Sequence, residues 1–461
     1  MKKLQQAYIW LPDMAARTID RIAMVLPLFY LAWGLPLLLV VAVVTPPWQN
    51  PDEAAHMLRI SQIAHGGLLS YRFDHSAGGF ADPAVIESAT PMSPVIHRPE
   101  NRVSLGMLAG AGAAQWGTTA ELSFPAIAQY PPILYAPAVL AVEAGRVMQL
   151  SVVHTLMAVR MVNALVATLI AAVSLYYARS TRLALAALLV LPMTVAMFAS
   201  AAQDGLMIAL TLFVVAGVDR LVTEERDPTL GEVVAIGVAT AAVIMARPPY
   251  LPLAALPLIC MRGLHRRAWL SFAGIFAVSA VWIGYTLSSV SVPLQSAFDP
   301  KAQLLFFLHQ PWTFIPILIN TFVLMHSNYL VSFIGVLGWL DTFLAPSYYE
   351  IAWYVLLLTF ASVTIGPARR TWLSLLIWFA AVGAVLFAGY LSWTPAGVDH
   401  IEGVQGRYFL PLAAILAMAV PTWRSVGAVL WRPAVVALVG LATITPMMIV
   451  QALVLRFYLV P

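Results

Sequence analysis

The sequence predicts an all-α polytopic membrane protein of about eleven transmembrane helices, up to about thirteen, with a large first external loop that carries juxtamembrane helices. Three observations predict it. Of 461 residues, 61% are hydrophobic and only 10% charged, too apolar for a chain folded in water and too long for a single anchor. Apolar runs long enough to cross a bilayer recur along the chain. The arginine-dense turns between them recur at intervals that keep them on one side, as basic residues in cytoplasmic loops do.

The net charge of +4 would suit nucleic acid, but the basic residues sit in short clusters between apolar runs, so the charge reports topology and no nucleic-acid partner is expected. One cysteine, Cys260, lies inside an apolar run, which excludes a disulfide framework and a thiolate metal site.

Taken in order, residues 1–21 form a cytoplasmic N-terminal segment holding Lys2, Lys3, Arg17 and Arg21. Residues 22–45 form the first transmembrane helix, built on the charge-free run Ile22 to Val44; a secretory signal would have a shorter core and a small-residue cleavage site. Residues 46–154 are read as a large external loop with juxtamembrane helices, rich in acids that include Asp52, Glu53, Asp74, Asp82, Glu87, Glu100, Glu121 and Glu143. Within it Tyr130 to Met148 is apolar but broken by prolines, Glu143 and Arg146, which suits a helix lying along the membrane better than one crossing it.

Residues 155–287 supply helices two to seven. Helix two runs inward to Arg179 and Arg182; helix three, about Leu183 to Ala199, returns outward to Asp204; helix four leads inward to the polar turn Thr223 to Glu232. Helix five ends outside at Ala246, Arg247 and Tyr250. Helix six is short and proline-bearing and reaches Arg262, His265, Arg266 and Arg267, and helix seven, Trp269 to Leu287, exits again. Residues 288–347 are periplasmic or re-entrant: to leave Arg369 and Arg370 inside after helix eight, the segment crosses an even number of times or not at all. Residues 348–461 hold the C-terminal transmembrane helices and an external loop at 392–407, with Arg424 and Arg432 inside.

This parity collects Asp52, Glu53, His56, Arg59, Asp204, Arg247, Arg407 and Tyr408 on one face, although they are far apart in sequence. Each has a plain reading beside a chemical one. Asp52 stands where a helix begins, so it is a cap as readily as a base that takes a proton from a hydroxyl acceptor; Glu53 suits a first helical turn. His56, one turn on, is a packed histidine or a supporting group. Asp204 caps helix four, or orients an acceptor or helps hold a divalent cation such as Mg or Mn. Arginines at the outer ends of spans run against the usual bias: Arg247 and Arg407 either snorkel to headgroups beside Tyr250 and Tyr408 or hold a phosphate through paired hydrogen bonds. Gln405, between Gly403 and Gly406, sits where backbone can approach a ligand.

The chain resembles a bacterial membrane-protein family known as domain of unknown function 2142, in PPWQNPDEAAH at 46–56, YPPILY at 130–135, SAAQDGL at 200–206, ARPPY at 246–250, VLGWLDT at 336–342 and GVQGRYFLP at 403–411. That family is similar to the GT-C glycosyltransferases, multi-helix enzymes that use lipid-phosphate-linked sugars outside the cytoplasm. The resemblance implies a GT-C-like fold in the bacterial inner membrane, with the N-terminus cytoplasmic and the active site periplasmic. It implies Asp52 as the catalytic base or acceptor-activating group, Glu53 as its neighbour and Asp204 as the assisting acid. Some GT-C enzymes carry two metal-binding acids in the second external loop, where this chain has Gln203 and Asp204, so metal use stays open.

The function expected is inverting transfer of a sugar from a polyprenyl-phosphate donor to a glycan, lipid or protein acceptor of the envelope. Arg407, with Arg247 or Arg59, would hold the donor phosphate; His56, Gln405 and Tyr408 would support the acceptor. Two other readings use the same residues: a polysaccharide polymerase or ligase, and a transporter or flippase of lipid-linked glycans, which calls for charges at membrane depth. A non-enzymatic assembly partner is a third.

Overall fold

The computed structural model describes residues 24–260, 266–293, 299–363, 368–395, 397–419 and 424–459. The segment 1–21, and Arg262 and His265, lie outside them.

The chain enters with α1 (Met24–Val44), whose apolar run ends at the proline pair Pro46 and Pro47; neither imino nitrogen can continue a helical ladder. The loop layer follows: α2 (Glu53–Ala64), α3 (Ala84–Ala89), α4 (Leu105–Ala113), α5 (Pro125–Ala128) and α6 (Ala136–Val147). It also contains a small antiparallel sheet, β1 (Tyr71–Phe73), β2 (Ser76–Ala81) and β3 (Ala120–Ser123), in the order β1-β2-β3. This departs from the all-α expectation. Gly78 and Gly79 of β2 allow it, since a methyl on either would strike the Leu122 carbonyl or the Gln62 amide, and glycine alone lets the hairpin lie so close.

Next come α7 (Val152–Tyr177), α8 (Arg182–Leu189), α9 (Pro192–Phe198), α10 (Asp204–Thr223) and α11 (Leu230–Ala246), then a 3-10 stretch, Pro248–Cys260. The chain closes with α12 (Arg266–Ser289), α13 (Pro300–His309), α14 (Phe314–Ile334), α15 (Pro346–Ala361), α16 (Ala368–Ser392), α17 (Leu410–Ala419) and α18 (Arg424–Phe457).

Seven of the described helices are long and apolar enough to cross a membrane: α1, α7, α10, α12, the stretch Pro311–Ile334, and the apolar parts of α16 and α18. The elements Leu230–Ala246, Pro248–Cys260 and Gly406–Ala419 are apolar but shorter. The helix expected over 183–199 is two, because Pro192 forces Leu191 into extended geometry (φ −66°, ψ 138°), as the residue before a proline prefers. Among the described residues, the segment 288–347 holds α13 and α14 between the ends of α12 and α15, and of these two α14 is the one long enough to span. At 12 residues, α6 rises about 18 Å, well short of a hydrocarbon core of about 30 Å.

Two cores result. One is built by the long helices, with Leu188, Phe198, Leu212 and Ile415 at its centre. The other, with Trp48, Met57, Phe124, Tyr135 and Val142, joins the loop layer to the first turns of α7 through Val152, Leu156 and Val159. The candidate residues gather along the seam between the two.

Candidate active site

Asp52 sits at the N-terminus of α2 with left-handed backbone, φ 58° and ψ 14°, and its side chain makes no capping hydrogen bond. The capping role is thereby corrected. A non-glycine residue in this region is strained by roughly 1–3 kcal/mol and persists only where its surroundings impose it. Its side chain is 48% exposed, and Oδ2 lies 4.0 Å from Arg407 Nη2.

Glu53 differs. It is fully buried, with its two carboxylate oxygens 2.8 and 2.5 Å from Nε and Nη2 of Arg160 and a further hydrogen bond from Asn50 at 3.0 Å. A carboxylate enclosed this way has no face for a substrate, and its geometry is that of a strut. Arg160, on α7, also donates to the carbonyls of Ala42 (2.9 Å), Thr45 (2.6 Å) and Pro46 (3.0 Å). It ties the end of α1 and the start of α2 to a long helix, and so sets the turn in which Asp52 stands.

His56 Nδ1 lies 2.6 Å from the Tyr135 hydroxyl, and its ring stacks on Tyr130 at a centroid distance of 6.0 Å. Burial pushes its pKa below the ordinary 6.5, partly opposed by Asp204 and Asp52, so the ring is neutral near pH 7. Arg59 is fully buried and donates to the carbonyls of Leu68 (2.8 Å) and Tyr130 (3.1 Å) and to Gln62 Oε1 (2.5 Å). Burial brings its guanidinium down to about 10, still charged at neutral pH. Its donors are spent on holding the loop, which sets it apart from the other two arginines.

Asp204 is the first residue of α10, one past the N-cap position, which Gln203 holds; its Oδ1 lies 2.7 Å from Arg247 Nη2. Gly205 makes this placement possible: a methyl there would lie 2.5 Å from the Met197 carbonyl oxygen. The Arg247 guanidinium lies 4.0 Å over the Tyr408 ring, and the Tyr250 hydroxyl donates to the Tyr408 carbonyl. Gly406 packs where a methyl would strike the Tyr329 carbonyl and the Phe333 amide, and donates its N–H to Ser332 at 2.8 Å. The 3-10 turn Gly406–Phe409 before α17 is thus held close to α14, with Arg407 buried.

Within this cluster two guanidinium donors remain without partners. Arg247 Nη1 and Arg407 Nε are buried and make no hydrogen bond; the acceptors Gln405 Oε1 and Gln203 Oε1 are in the same state. Buried polar groups are rarely left so, and guanidinium N–H groups in this condition are complementary to an oxyanion. Asp52, His56, Asp204, Arg247, Arg407 and Tyr408 come together. Glu53 and Arg59 stand behind them as supports. Sequence reasoning missed Arg160, Tyr130 and Tyr135 as parts of the site. The signal for Arg160 was present, since an arginine inside an apolar run demands a partner.

Among the described residues no group of three or more His, Cys, Asp or Glu is placed to hold a metal ion. Asp204, the acid considered for a cation, is engaged by Arg247 instead.

Long apolar helices under a folded loop layer, with arginines and acids at their junction, define a polytopic membrane protein with a charged site at the end of its helices. The chain belongs to the family described as a predicted membrane protein (DUF2142), whose model matches residues 35–416. No curated protein and no solved structure matches it.

Proposed function

We propose that this protein is an inverting, GT-C-type glycosyltransferase of the bacterial inner membrane, with a cytoplasmic N-terminus and a periplasmic site. It moves a sugar from a polyprenyl-phosphate donor to a hydroxyl of a glycan, lipid or protein acceptor. The observation that carries this reading is the pair of buried, unpartnered donors, Arg247 Nη1 and Arg407 Nε, beside the half-exposed carboxylate of Asp52.

The division of labour follows from exposure. Asp52, the exposed acid, takes the proton of the acceptor hydroxyl as its oxygen attacks the anomeric carbon. The bond from that carbon to the phosphate oxygen breaks on the opposite face, and the electron pair leaves with the lipid phosphate. Arg407 and Arg247 stabilise the charge that grows there. Asp204 fixes Arg247 through the 2.7 Å contact and Tyr408 underlies it, so the donors are oriented before substrate arrives. His56, neutral and tied to Tyr135, supports the acceptor side. Positive charge for the leaving group comes from the two arginines.

The test is the lipid-linked sugar pool of a deletion strain. A polyprenyl-phosphate sugar should accumulate in the deletion, fall to the parental level with the wild-type gene, and stay high with Asp52→Asn at equal protein level. An unchanged pool in the deletion would overturn the reading.

A further inference from the structure

The stretch Pro311–Ile334 is long and apolar enough to cross a bilayer, yet the contacts that fasten it lie toward one end of the helix bundle. We infer that α14 is sunk in the leaflet on the side of the charged site without crossing to the other, its apolar outer face resting on acyl chains, and that it holds the turn carrying Arg407 at that depth. The inference stands apart from the chemistry proposed above, since it uses only where α14 is tied.

The two ends of the bundle are marked by ion pairs. Asp204 and Arg247 mark the site end. Asp219, about 22 Å further along α10, pairs with Arg370 at 3.2 Å near the start of α16 and marks the other. From Arg370, α16 rises about 26 Å before it reaches Phe387, and there α14 begins: the Phe314 ring lies 5.6 Å from Phe387 and 5.4 Å from Tyr390. Further on, Thr321 Oγ1 accepts the Ile401 N–H at 2.9 Å, and Ile401 and Val404 pack on Gly389 of α16, where a methyl would strike both. Near the end of α14, Ser332 Oγ accepts the Gly406 N–H at 2.8 Å, one residue from Arg407. A helix crossing the bilayer from Phe314 would be about 10 Å deeper by Thr321 and about 27 Å deeper by Ser332. Instead Thr321 is still at the level of Gly389, and Ser332 holds the turn beside the site. Past α14, Gly335 packs on Pro192, the first residue of α9, and Trp339 Nε1 donates to the Trp48 carbonyl at 2.9 Å, close to the turn of Asp52.

What covers the outer face follows from its chemistry. Ile315, Ile319, Phe322, Val323 and Leu330 fall on one side of the helix and are 46–65% exposed. Thr321 and Ser332, on the opposite side, are buried against the loop. The stripe has the character of the bare outer faces of α12 and α16, whose spanning windows are 17% and 33% buried, and acyl chains are the occupant that suits all three. His326 falls within the stripe, and its Nδ1 lies 3.0 Å from the Phe322 and Val323 carbonyls of its own helix. Ser327 and Asn328 are exposed beside it. A crossing helix would leave these polar groups in hydrocarbon at a cost, whereas one lying near the surface lets them reach headgroups. Trp312, exposed just before α14, suits the same level.

The experiment measures depth. Cys260→Ala removes the chain's one cysteine, and single cysteines then carry nitroxide labels in the full chain, purified and placed in phosphatidylcholine vesicles. Ile315→Cys, Val323→Cys and Leu330→Cys sample α14; Leu270→Cys, Val278→Cys and Leu287→Cys sample the spanning helix α12 at similarly exposed positions. Relaxation by dissolved oxygen against a water-soluble nickel chelate gives the depth of each label, and melting temperatures confirm that each variant is folded. On α12, Val278 should be the deepest label, about 12 Å below Leu270. On α14, Val323 should lie between Ile315 and Leu330 or level with them, shallower than Val278. A Val323 label as deep as Val278, with Ile315 and Leu330 both shallow, would overturn the inference and make α14 a span. Labels on α14 relaxed mainly by the nickel chelate would overturn it by standing the helix off the lipid, and labels shielded from both reagents would overturn it by showing a protein surface, a second copy or a partner, on this face.

Discussion

Arg407 Nη2 lies 4.0 Å from Asp52 Oδ2, which joins the turn after the first helix to the short approach before α17. The distance is that of a loose pair, not a closed salt bridge. It leaves Asp52 free to accept a proton and Arg407 Nε free to meet an anion. Asparagine tolerates the left-handed region that Asp52 occupies, so Asp52→Asn should be made and folded normally, yet lose transfer by about 10²–10⁴-fold, the usual worth of a positioned base. Asp52→Gly should lose transfer equally while its melting temperature stays level or rises, because glycine adopts φ 58° without strain. Comparing the two in a melting assay separates chemistry from backbone geometry.

Arg247 and Arg407 should not be replaceable by lysine. An ammonium keeps the charge but loses the planar fork, so Arg247→Lys and Arg407→Lys should each lower transfer on the order of 10²-fold. Tyr408→Phe keeps the ring under Arg247 and should leave the rate near wild type, whereas Tyr408→Ala should weaken donor binding by roughly 0.5–2 kcal/mol. Initial rates against donor concentration check all four.

The Glu53–Arg160 pair is a stability element. Both side chains are fully buried, with Nη2 and Oε2 2.5 Å apart, and removing one partner strands the other's charge. Arg160→Met should lower stability by about 3–5 kcal/mol, read as a fall in melting temperature and in membrane yield. Glu53→Gln should lower stability as well, whereas a catalytic acid replaced by its amide would lose rate and not stability.

Acid should weaken the fold through His56. Burial depresses its pKa below 6.5, with Asp204, Asp52 and Glu53 acting to raise it and Arg407 to lower it. The unfolded chain then binds a proton that the folded one refuses, so the stability contribution is fully present above about pH 6.5 and is lost as pH falls toward the depressed value, at about 1.4 kcal/mol per unit. A His56→Gln variant should show a flatter loss over that window. Melting curves of the two proteins between pH 7 and 5 give the comparison.

The parity of basic turns puts Asp52, Asp204, Arg247 and Arg407 on one face, and in the structure Asp52 lies 4.0 Å from Arg407 and Asp204 lies 2.7 Å from Arg247. What each side chain does was not legible. Nothing in the string Asn50 to Glu53 distinguishes the exposed acid from the buried one, because the difference comes from Arg160, more than a hundred residues later. Arg59 looked like a phosphate ligand because charge is visible in a sequence and the carbonyls that absorb it are not. The break in helix three was readable at Pro192, whereas the small sheet was not, since its strands are short and rest on close packing of Gly78 and Gly79.

The most direct measurement of the central claim is a mass profile of envelope glycans, glycolipids and glycoproteins from a deletion strain carrying the wild-type gene or Asp52→Asn, with protein levels matched. The account predicts that the deletion loses one sugar mass from a defined product, that the wild-type gene restores it, and that Asp52→Asn does not. Restoration of the wild-type profile by Asp52→Asn would contradict it, leaving Asp52 as a residue of the turn and the arginine site without its base.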